Sequence, residues 1–343
     1  MSVLTAGGRN VSETRPCRVA VLVGVLAALP TIAMGLQITP IYVDAAGESW
    51  DGDPARQAVI EQAVTFWEGY ILEPHTVNVT FTFAAAGSSY LGTWSGSGSV
   101  SVGTDIYPWT SGVTHTITFN TDRFTGTNYL WWDPTPLTGD DQPFVAWDAL
   151  SVCLHELAHA LGFTDGFYVD NFARPTEVNR WRGQIVGTTF DPGGLNVAMY
   201  QDSLGNMSHV QDAGTTRDDL MVPALVNSER HPIGNIDLEM LSLAHGYAVQ
   251  LLGDLDGSGE VNNNDISPFV LALTDRAGYQ AAYPGIDPDV AGDIDHDGAL
   301  TNNDITPFVG LLTAGSQPLP EPAAMLLLVT VAPLILRRRR RGR

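Results

Sequence analysis

One stretch of the chain repeats another, and this duplication constrains the fold more than any other feature of the 343-residue sequence. The segment from Asp254 to Asp265, followed by ISPFV, aligns with the segment from Asp293 to Asp304, followed by ITPFV. The two copies are offset by 39 residues. Agreement over so many positions excludes accident, so the sequence predicts two like structural units, each an acidic loop followed by an apolar helix.

The spacing of the oxygen-bearing residues within each copy is that of a calcium loop. Oxygen donors stand at loop positions 1, 3, 5 and 12, a glycine (Gly259 or Gly298) stands at position 6, and position 7 offers a backbone carbonyl. Hard oxygen donors around a glycine turn are the ligands that calcium prefers. The predicted ligands are Asp254, Asp256, Ser258, Glu260 and Asp265 in the first loop, and Asp293, Asp295, Asp297, Ala299 and Asp304 in the second.

Two departures from the standard helix-loop-helix calcium site narrow this prediction. Position 12 is aspartate instead of glutamate, and helical apolar residues follow each loop without preceding it. In both respects the pair, over residues 253–315, resembles the dockerin type I module. The resemblance implies a small all-α pair of loops that folds on binding two structural calcium ions and docks to a cohesin-like domain. The plainer alternative is a pair of calcium loops that only stiffens a stalk.

A second motif, HELAH, places His155, Glu156 and His159 inside a helix predicted from Asp148 to Leu161. A separation of four residues puts both imidazoles on one face of that helix, one turn apart, where they can hold one zinc ion together. Glu156 stands beside them and can act as a general base towards a water molecule. The motif alone recurs by chance, so its surroundings have to decide.

Those surroundings resemble the metzincin peptidases. Gly162 follows the second histidine by three residues and ends the helix, and Met221, followed by Val222 and Pro223, is flanked as in a Met-turn. The resemblance covers roughly residues 37–250. It implies an α+β zinc peptidase domain over residues 36–250, with an active-site helix, a Met-turn, one catalytic zinc ion and a protein or peptide substrate.

The third zinc ligand is where the sequence departs from the common metzincin pattern. Asp165 stands six residues after His159, where the usual motif has histidine. A carboxylate can ligate zinc, so Asp165 is one candidate. The other is His209, 12 residues ahead of Met221, which matches the leishmanolysin-like branch, where an insertion precedes the third histidine. We favour His209, because neutral imidazole suits zinc and three histidines leave the usual fourth position open.

The rest of this domain alternates helices and strands. Asp53 and Pro54 predict the capped start of an amphipathic helix that ends near Glu73. The remaining histidines and Cys153 are predicted to be structural or, for some of the histidines, exposed. Further predicted elements are a strand over 77–83, a glycine and serine loop over 87–103, a strand over 115–120, and a closing helix over 236–243 that packs under the Met-turn.

Both ends of the chain are typical of export and sorting signals. Residues 1–35 combine an arginine-containing start with an apolar stretch, the pattern of a secretory signal peptide. Residues 318–343 place a Pro-Glu-Pro motif before a short apolar run, predicted as a hydrophobic helix, and an arginine cluster. This order resembles the PEP-CTERM sorting signal of bacterial envelopes. It implies an exported, extracellular or envelope-associated protein that contacts the membrane through its tail before processing, and a plain membrane anchor is the alternative.

The charge of the chain excludes one class of partner. It carries 38 acidic residues against 17 basic ones, a net charge of −21, and every basic residue is arginine. Such a surface repels nucleic acid, so no nucleic-acid partner is expected. With only Cys17 and Cys153, no disulfide framework is expected either.

Two functions from different classes fit these features. The first is an exported, envelope-associated zinc-dependent endopeptidase with Glu156 as its general base. The second is a non-catalytic extracellular adhesion or scaffold protein that keeps the fold and assembles through calcium-dependent dockerin–cohesin contacts. The intact Glu156 favours the enzyme, because a scaffold does not need a general base.

Overall fold

In the computed structural model, the residues described are 35–87, 90–97, 108–126, 128–137, 142–164, 185–186, 189–190, 197–203, 207–212 and 219–314. They form a mixed α/β structure with small sheets, followed by short helices. Three predicted features lie outside these residues: the signal segment up to residue 34, Asp165, and the sorting tail over 318–343. Within the described part of the chain, every helix is too short or too polar to span a bilayer.

The main sheet has four strands in the order β1-β2-β4-β3. The first three run parallel, and the edge strand β3 is antiparallel to β4. Strict alternation buries one face of β2, as the sequence predicted, because successive side chains of a strand point to opposite sides. The strands are β1 (Gln37–Tyr42), β2 (Thr76–Ala84), β3 (Gly92–Ser97) and β4 (Thr114–Asn120).

The prediction of a continuous loop over 87–103 is wrong, because β3 lies inside it. Glycine and serine have low strand propensity, so the local pattern of Gly92–Ser97 does not indicate a strand. Pairing with β4 overrides this preference: the register sets Trp94 opposite Ile117 and supplies the backbone hydrogen bonds of the ladder. Strand β3 therefore exists through tertiary pairing.

Two helices pack against this sheet and against each other. Helix α1 (Pro54–Tyr70) begins as predicted, with the Asp53 side chain accepting a hydrogen bond from the Ala55 N–H at 3.0 Å, and ends three residues earlier than Glu73. Helix α2 (Ala149–Ala160) is capped by Asp148 and buried along its whole length. It is one residue shorter at each end than predicted, because Asp148 and Leu161 are its cap residues.

Shorter elements complete the part of the structure that precedes the repeats. A two-stranded sheet pairs β5 with β6, and a second four-stranded sheet has the order β10-β9-β8-β7. Helix α3 (Asn235–His245) contains the predicted closing helix, and its apolar face joins the same core as Met221. The strands are β5 (Leu130–Trp131), β6 (Trp147–Asp148), β7 (Ile185–Val186), β8 (Thr189–Phe190), β9 (Val197–Tyr200) and β10 (His209–Val210).

The repeats form a helical pair with a core of its own. Phe269 and Phe308, which are equivalent in the two copies, stack with ring centroids 4.1 Å apart. A short helix precedes the second loop, where the sequence predicted none, because Asp287 and Pro288 provide a cap and a first helical residue. The helices are α4 (Ile266–Thr274), α5 (Arg276–Ala282), α6 (Pro288–Ala291) and α7 (Ile305–Ala314).

Candidate metal centres

Three imidazoles converge at the inner face of α2. His155 and His159 lie one turn apart on the helix, and His209 approaches from β10, 50 residues along the chain from His159. The Nε2 atom of His155 lies 3.2 Å from the Nε2 atoms of both His159 and His209. The structure thus brings together the helical pair and the favoured third residue.

Backbone carbonyls fix the orientation of two of these rings. The Nδ1 atom of His155 lies 2.8 Å from the Leu220 carbonyl oxygen, and that of His159 lies 2.6 Å from the Phe163 carbonyl oxygen. A carbonyl oxygen only accepts hydrogen bonds, so each Nδ1 must carry the hydrogen. In the neutral rings, both Nε2 atoms therefore point lone pairs at the same small space.

Converging lone pairs of this kind fit a cation. A tetrahedral zinc ion with bonds of about 2.0 to 2.1 Å holds its nitrogen ligands roughly 3.3 Å apart, close to the distances observed here. Second hydrogen bonds from the ligand rings to backbone carbonyls are the usual support of such sites. The donor set fits a single zinc ion held by His155, His159 and His209.

Electrostatics keep these rings in the ligand form. Burial, assisted by neighbouring imidazoles, lowers the pKa of each of His155, His159 and His209 to about 3. All three are therefore neutral at pH 7, and protons do not compete for their lone pairs.

Glu156 lies next to this cluster and is 7% exposed. Burial raises its pKa to about 8, against the opposing effect of a hydrogen bond from the Trp94 backbone. A cation beside the carboxyl would favour its ionised form and lower that value. A bound cation would therefore favour the carboxylate form, which is the form that a general base requires.

The edge strand β3 closes one side of the centre. An added Cβ on Gly92 would come within 2.9 Å of the Val152 side chain and 3.4 Å of the Glu156 side chain, so glycine permits the strand to approach α2 closely. The Trp94 ring stacks near His159 and donates from Nε1 to His115 at 3.2 Å. Sequence reasoning missed this strand, and a tryptophan within a glycine and serine run was the available signal.

The segment around Met221 braces the other side. Its carbonyl accepts a hydrogen bond from the Val210 N–H, and its own N–H donates to Asp219 at 3.0 Å. The preceding Leu220 carbonyl holds His155, so one short segment is tied to both the His155 ring and the His209 strand. Met221 itself is fully buried.

A cleft of about 540 Å³ opens over the three imidazoles. Residues 90–94 and residues 222–225 line this cleft, together with Glu156 and the three histidines. The cleft is large enough for several residues of an extended chain, and its walls present both apolar surface and the edge of a sheet.

The turn after α2 is fixed by His245, which was predicted to be structural or exposed, and by Tyr247, which no sequence pattern singled out. His245 Nε2 donates to the Gly162 carbonyl at 2.9 Å, and the Tyr247 hydroxyl donates to the Leu161 carbonyl at 2.9 Å. This turn carries Phe163, whose carbonyl holds His159. Cys153 is buried, as predicted.

Each of the two acidic loops gathers three carboxylates. The ligand atoms of Asp254, Asp256 and Asp265 lie within 4.8 Å of one another, and so do those of Asp293, Asp295 and Asp304. These are loop positions 1, 3 and 12 in both copies. Within the described residues, Asp297 is not part of the second group.

The last carboxylate of each loop organises the backbone around it. Asp265 accepts from the N–H groups of Leu255, Asp256 and Asn262, and Asp304 accepts from the equivalent three at 2.7 to 3.0 Å. At position 5 the Ser258 hydroxyl donates to the Glu260 carbonyl oxygen at 3.1 Å, so the two residues predicted as ligands are neighbours. Glu260 and Ala299 stand at position 7, where the backbone carbonyl is the predicted donor. Carboxylates at positions 1, 3 and 12, together with oxygen donors at positions 5 and 7, form a ligand set that suits calcium.

Like charges make these groups costly without a cation. Burial raises the pKa of Asp293 to about 7, with Asp304 and Asp297 adding to the effect and backbone hydrogen bonds opposing it. Burial also raises the pKa of Asp254, with a smaller contribution from Asp265. A divalent ion would neutralise this repulsion in both loops.

No protein-family model matches the chain, and no curated protein matches it. Function is therefore argued from the geometry of the sites.

Proposed function

We propose that the protein is an exported, zinc-dependent endopeptidase of metzincin type, in the leishmanolysin-like branch, that carries a dockerin-like calcium module. The observation that carries the proposal is the convergence of three imidazole lone pairs beside one buried carboxyl group, Glu156. The cleft above them offers room for a peptide. Export and an envelope location rest on the residues at the two ends of the chain.

The roles of the chain's own residues follow from their positions. A zinc ion held by the three histidines would polarise a peptide carbonyl and lower the pKa of a water molecule. Glu156 takes a proton from that water and later delivers it to the leaving amine. The N–H and C=O groups at the edge of β3 align an extended substrate, while Leu220 and Phe163 hold the rings in place.

The test compares three variants with the wild type in zinc content and in hydrolysis of casein. Glu156→Gln keeps the shape of the side chain but removes the base, so turnover should fall by at least 100-fold while zinc stays bound. His209→Ala removes one of three ligands, so zinc content itself should fall. His75→Ala, which changes a histidine outside the three-imidazole cluster, is the matched control and should leave both unchanged.

Two outcomes would count against the proposal. A wild-type protein that binds no zinc would remove the catalytic centre altogether. Normal zinc content in His209→Ala would reject this residue as a ligand and would leave Asp165 as the candidate third ligand.

The calcium module supports a second candidate function, assembly with a partner such as a cohesin-like domain. Apolar side chains at matched positions of the two repeats remain exposed by 43 to 51%, which is typical of a docking surface. They are Ile266 and Val270 in the first copy and Ile305 and Val309 in the second. In this reading the first domain is a non-catalytic scaffold.

One measurement separates the candidates, because a scaffold needs calcium but not turnover. If the purified protein binds calcium and an added cohesin-like domain yet Glu156→Gln matches wild type on every peptide tested, the scaffold is correct. Calcium removal should disorder residues 253–315 in either case, because the clustered carboxylates repel one another. Circular dichroism that does not change after chelation would reject the calcium sites.

A further inference from the structure

The two calcium loops differ at position 4. The first loop has Gly257 there and the second has His296, yet both residues adopt left-handed backbone, with φ of 70° and 60°. Glycine adopts this conformation freely, whereas a side chain with a Cβ pays about 1 to 2 kcal/mol for it. A histidine at this position is therefore retained at a cost, and something must offset it.

The contacts of His296 provide that offset. Its ring packs edge-on against Phe66 of α1, with centroids 6.4 Å apart, and its Nε2 donates to the Ile233 carbonyl at 3.2 Å. Both partners belong to the first domain. In the first loop, by contrast, a Cβ on Gly257 would meet Ile286 of the repeat pair itself, at 2.7 Å.

His296 lies beside α2, the helix that carries His155 and His159. Together with Phe66, it lines a small cavity that Leu150 and Leu154 of α2 also line. His155 and Glu156 follow Leu154 directly on the same helix, and Leu150 lies one turn before it. Position 4 of the second calcium loop thus helps to form the wall of a small cavity that borders the helix of the zinc centre.

Other contacts fasten the same loop to the first domain. Leu137 packs so closely on Gly298 that an added Cβ would lie 2.9 Å away. Val290, just before the loop, is packed against Gly69 of α1.

We propose that His296 is a positioning residue through which calcium bound at the second loop stabilises α2 and tightens the zinc centre. Asp295 and Asp297 flank His296, so an ion that orders the loop also fixes the backbone of this residue. Without calcium the carboxylates separate, the left-handed residue relaxes, and its ring leaves the wall. The first loop, with Gly257 at this position, does not act on α2 in this way. The inference rests on the proposed zinc and calcium sites.

The test uses the full chain with calcium sites removed one at a time. Asp293→Asn with Asp295→Asn empties the second loop, and Asp254→Asn with Asp256→Asn is the matched control in the first. A third variant, His296→Gly, keeps both loops and copies the residue that the first loop tolerates. Two quantities are measured: amide hydrogen exchange over residues 149–160, and the rate at which zinc is released to a chromogenic chelator.

Loss of the second site and His296→Gly should each speed zinc release roughly tenfold, the usual effect of a residue that supports metal ligands. Both should also speed exchange in α2, while the first-loop variant stays within about twofold of wild type. Linkage adds a readout that simple destabilisation does not give. Zinc should tighten calcium binding at the second loop by the same factor as calcium raises the equilibrium affinity for zinc, and His296→Gly should abolish this coupling.

Equal effects from the two loop variants would overturn the inference, and so would wild-type exchange and zinc release in His296→Gly with calcium bound. The exchange measurement needs no zinc. If the wild type bound no zinc, the proposed peptidase would fail while exchange in α2 would still decide the role of His296.

Discussion

Replacing Gly162 with alanine tests how the turn after α2 is held. Gly162 has a φ of 113°, and a Cβ there would lie 2.6 Å from the Nε2 atom of His245. The left-handed backbone costs about 1 to 2 kcal/mol for alanine. Displacing His245 also breaks its buried hydrogen bond to the Gly162 carbonyl, at a cost of about 1 to 3 kcal/mol.

Gly162→Ala should therefore lower the free energy of unfolding by about 2 to 5 kcal/mol. The matched control is Gly112→Ala, because Gly112 has a φ of 90° but open space around its Cβ. Gly112→Ala should therefore lower the free energy of unfolding by only about 1 to 2 kcal/mol, the cost of the left-handed backbone. Because the turn carries the Phe163 carbonyl that holds His159, Gly162→Ala should also lose zinc, and the control should not.

Urea unfolding in the presence of calcium measures the loss of stability. Analysis of the zinc content of the same samples measures the loss of zinc. Adding His245→Ala to Gly162→Ala removes the clash, so the double variant should lose less than the sum of the two single losses. Equal destabilisation by Gly162→Ala and Gly112→Ala, with zinc retained in both, would refute the reasoning, since His245 would then not hold the turn.

Three further outcomes are expected. Arg230→Met should cost about 3 to 5 kcal/mol in urea unfolding, because it leaves Asp133 and Asp148 buried without their ion pair; an unchanged midpoint would contradict this. Without calcium, residues 253–315 should be disordered at pH 8 and should regain a melting transition at pH 5. The folded loop holds a proton on Asp293 up to pH about 7, so stability falls as the pH rises through that value. Saturating calcium should reverse this order, and calorimetry at the two pH values decides. Trp94→Ala should weaken casein hydrolysis more than zinc binding, because Trp94 lies in the cleft wall; equal losses would assign it to the zinc site instead.

Local signals were sufficient for the elements whose hydrogen bonds close within a few residues. Asp53 and Asp148 cap their helices because a side-chain oxygen reaches the first free N–H groups, which is a short-range interaction. Strand β3 could not be predicted in this way, because its residues favour a loop and only pairing with the distant strand β4 makes them a strand.

In the candidate zinc centre too, some ligands follow from local sequence and one depends on the fold. The sequence alone placed His155 and His159 on one face of a helix, because helical periodicity needs no other part of the chain. It left both His209 and Asp165 as candidates for the third ligand, since no local pattern predicts the path of the chain between His159 and His209. The fold brings His209 to the pair and lets Leu220 and Phe163 orient the rings.

The two acidic loops were determined by the sequence, because each gathers its carboxylates within 12 residues and the chain states the pattern twice. What the second loop touches was decided by the tertiary structure alone. The substitution of His296 for glycine is visible in the alignment of the repeats, but its meaning depends on Phe66 and Ile233, which lie far away in the chain. Short-range geometry is encoded residue by residue, whereas contact between distant segments exists only once the whole core has packed.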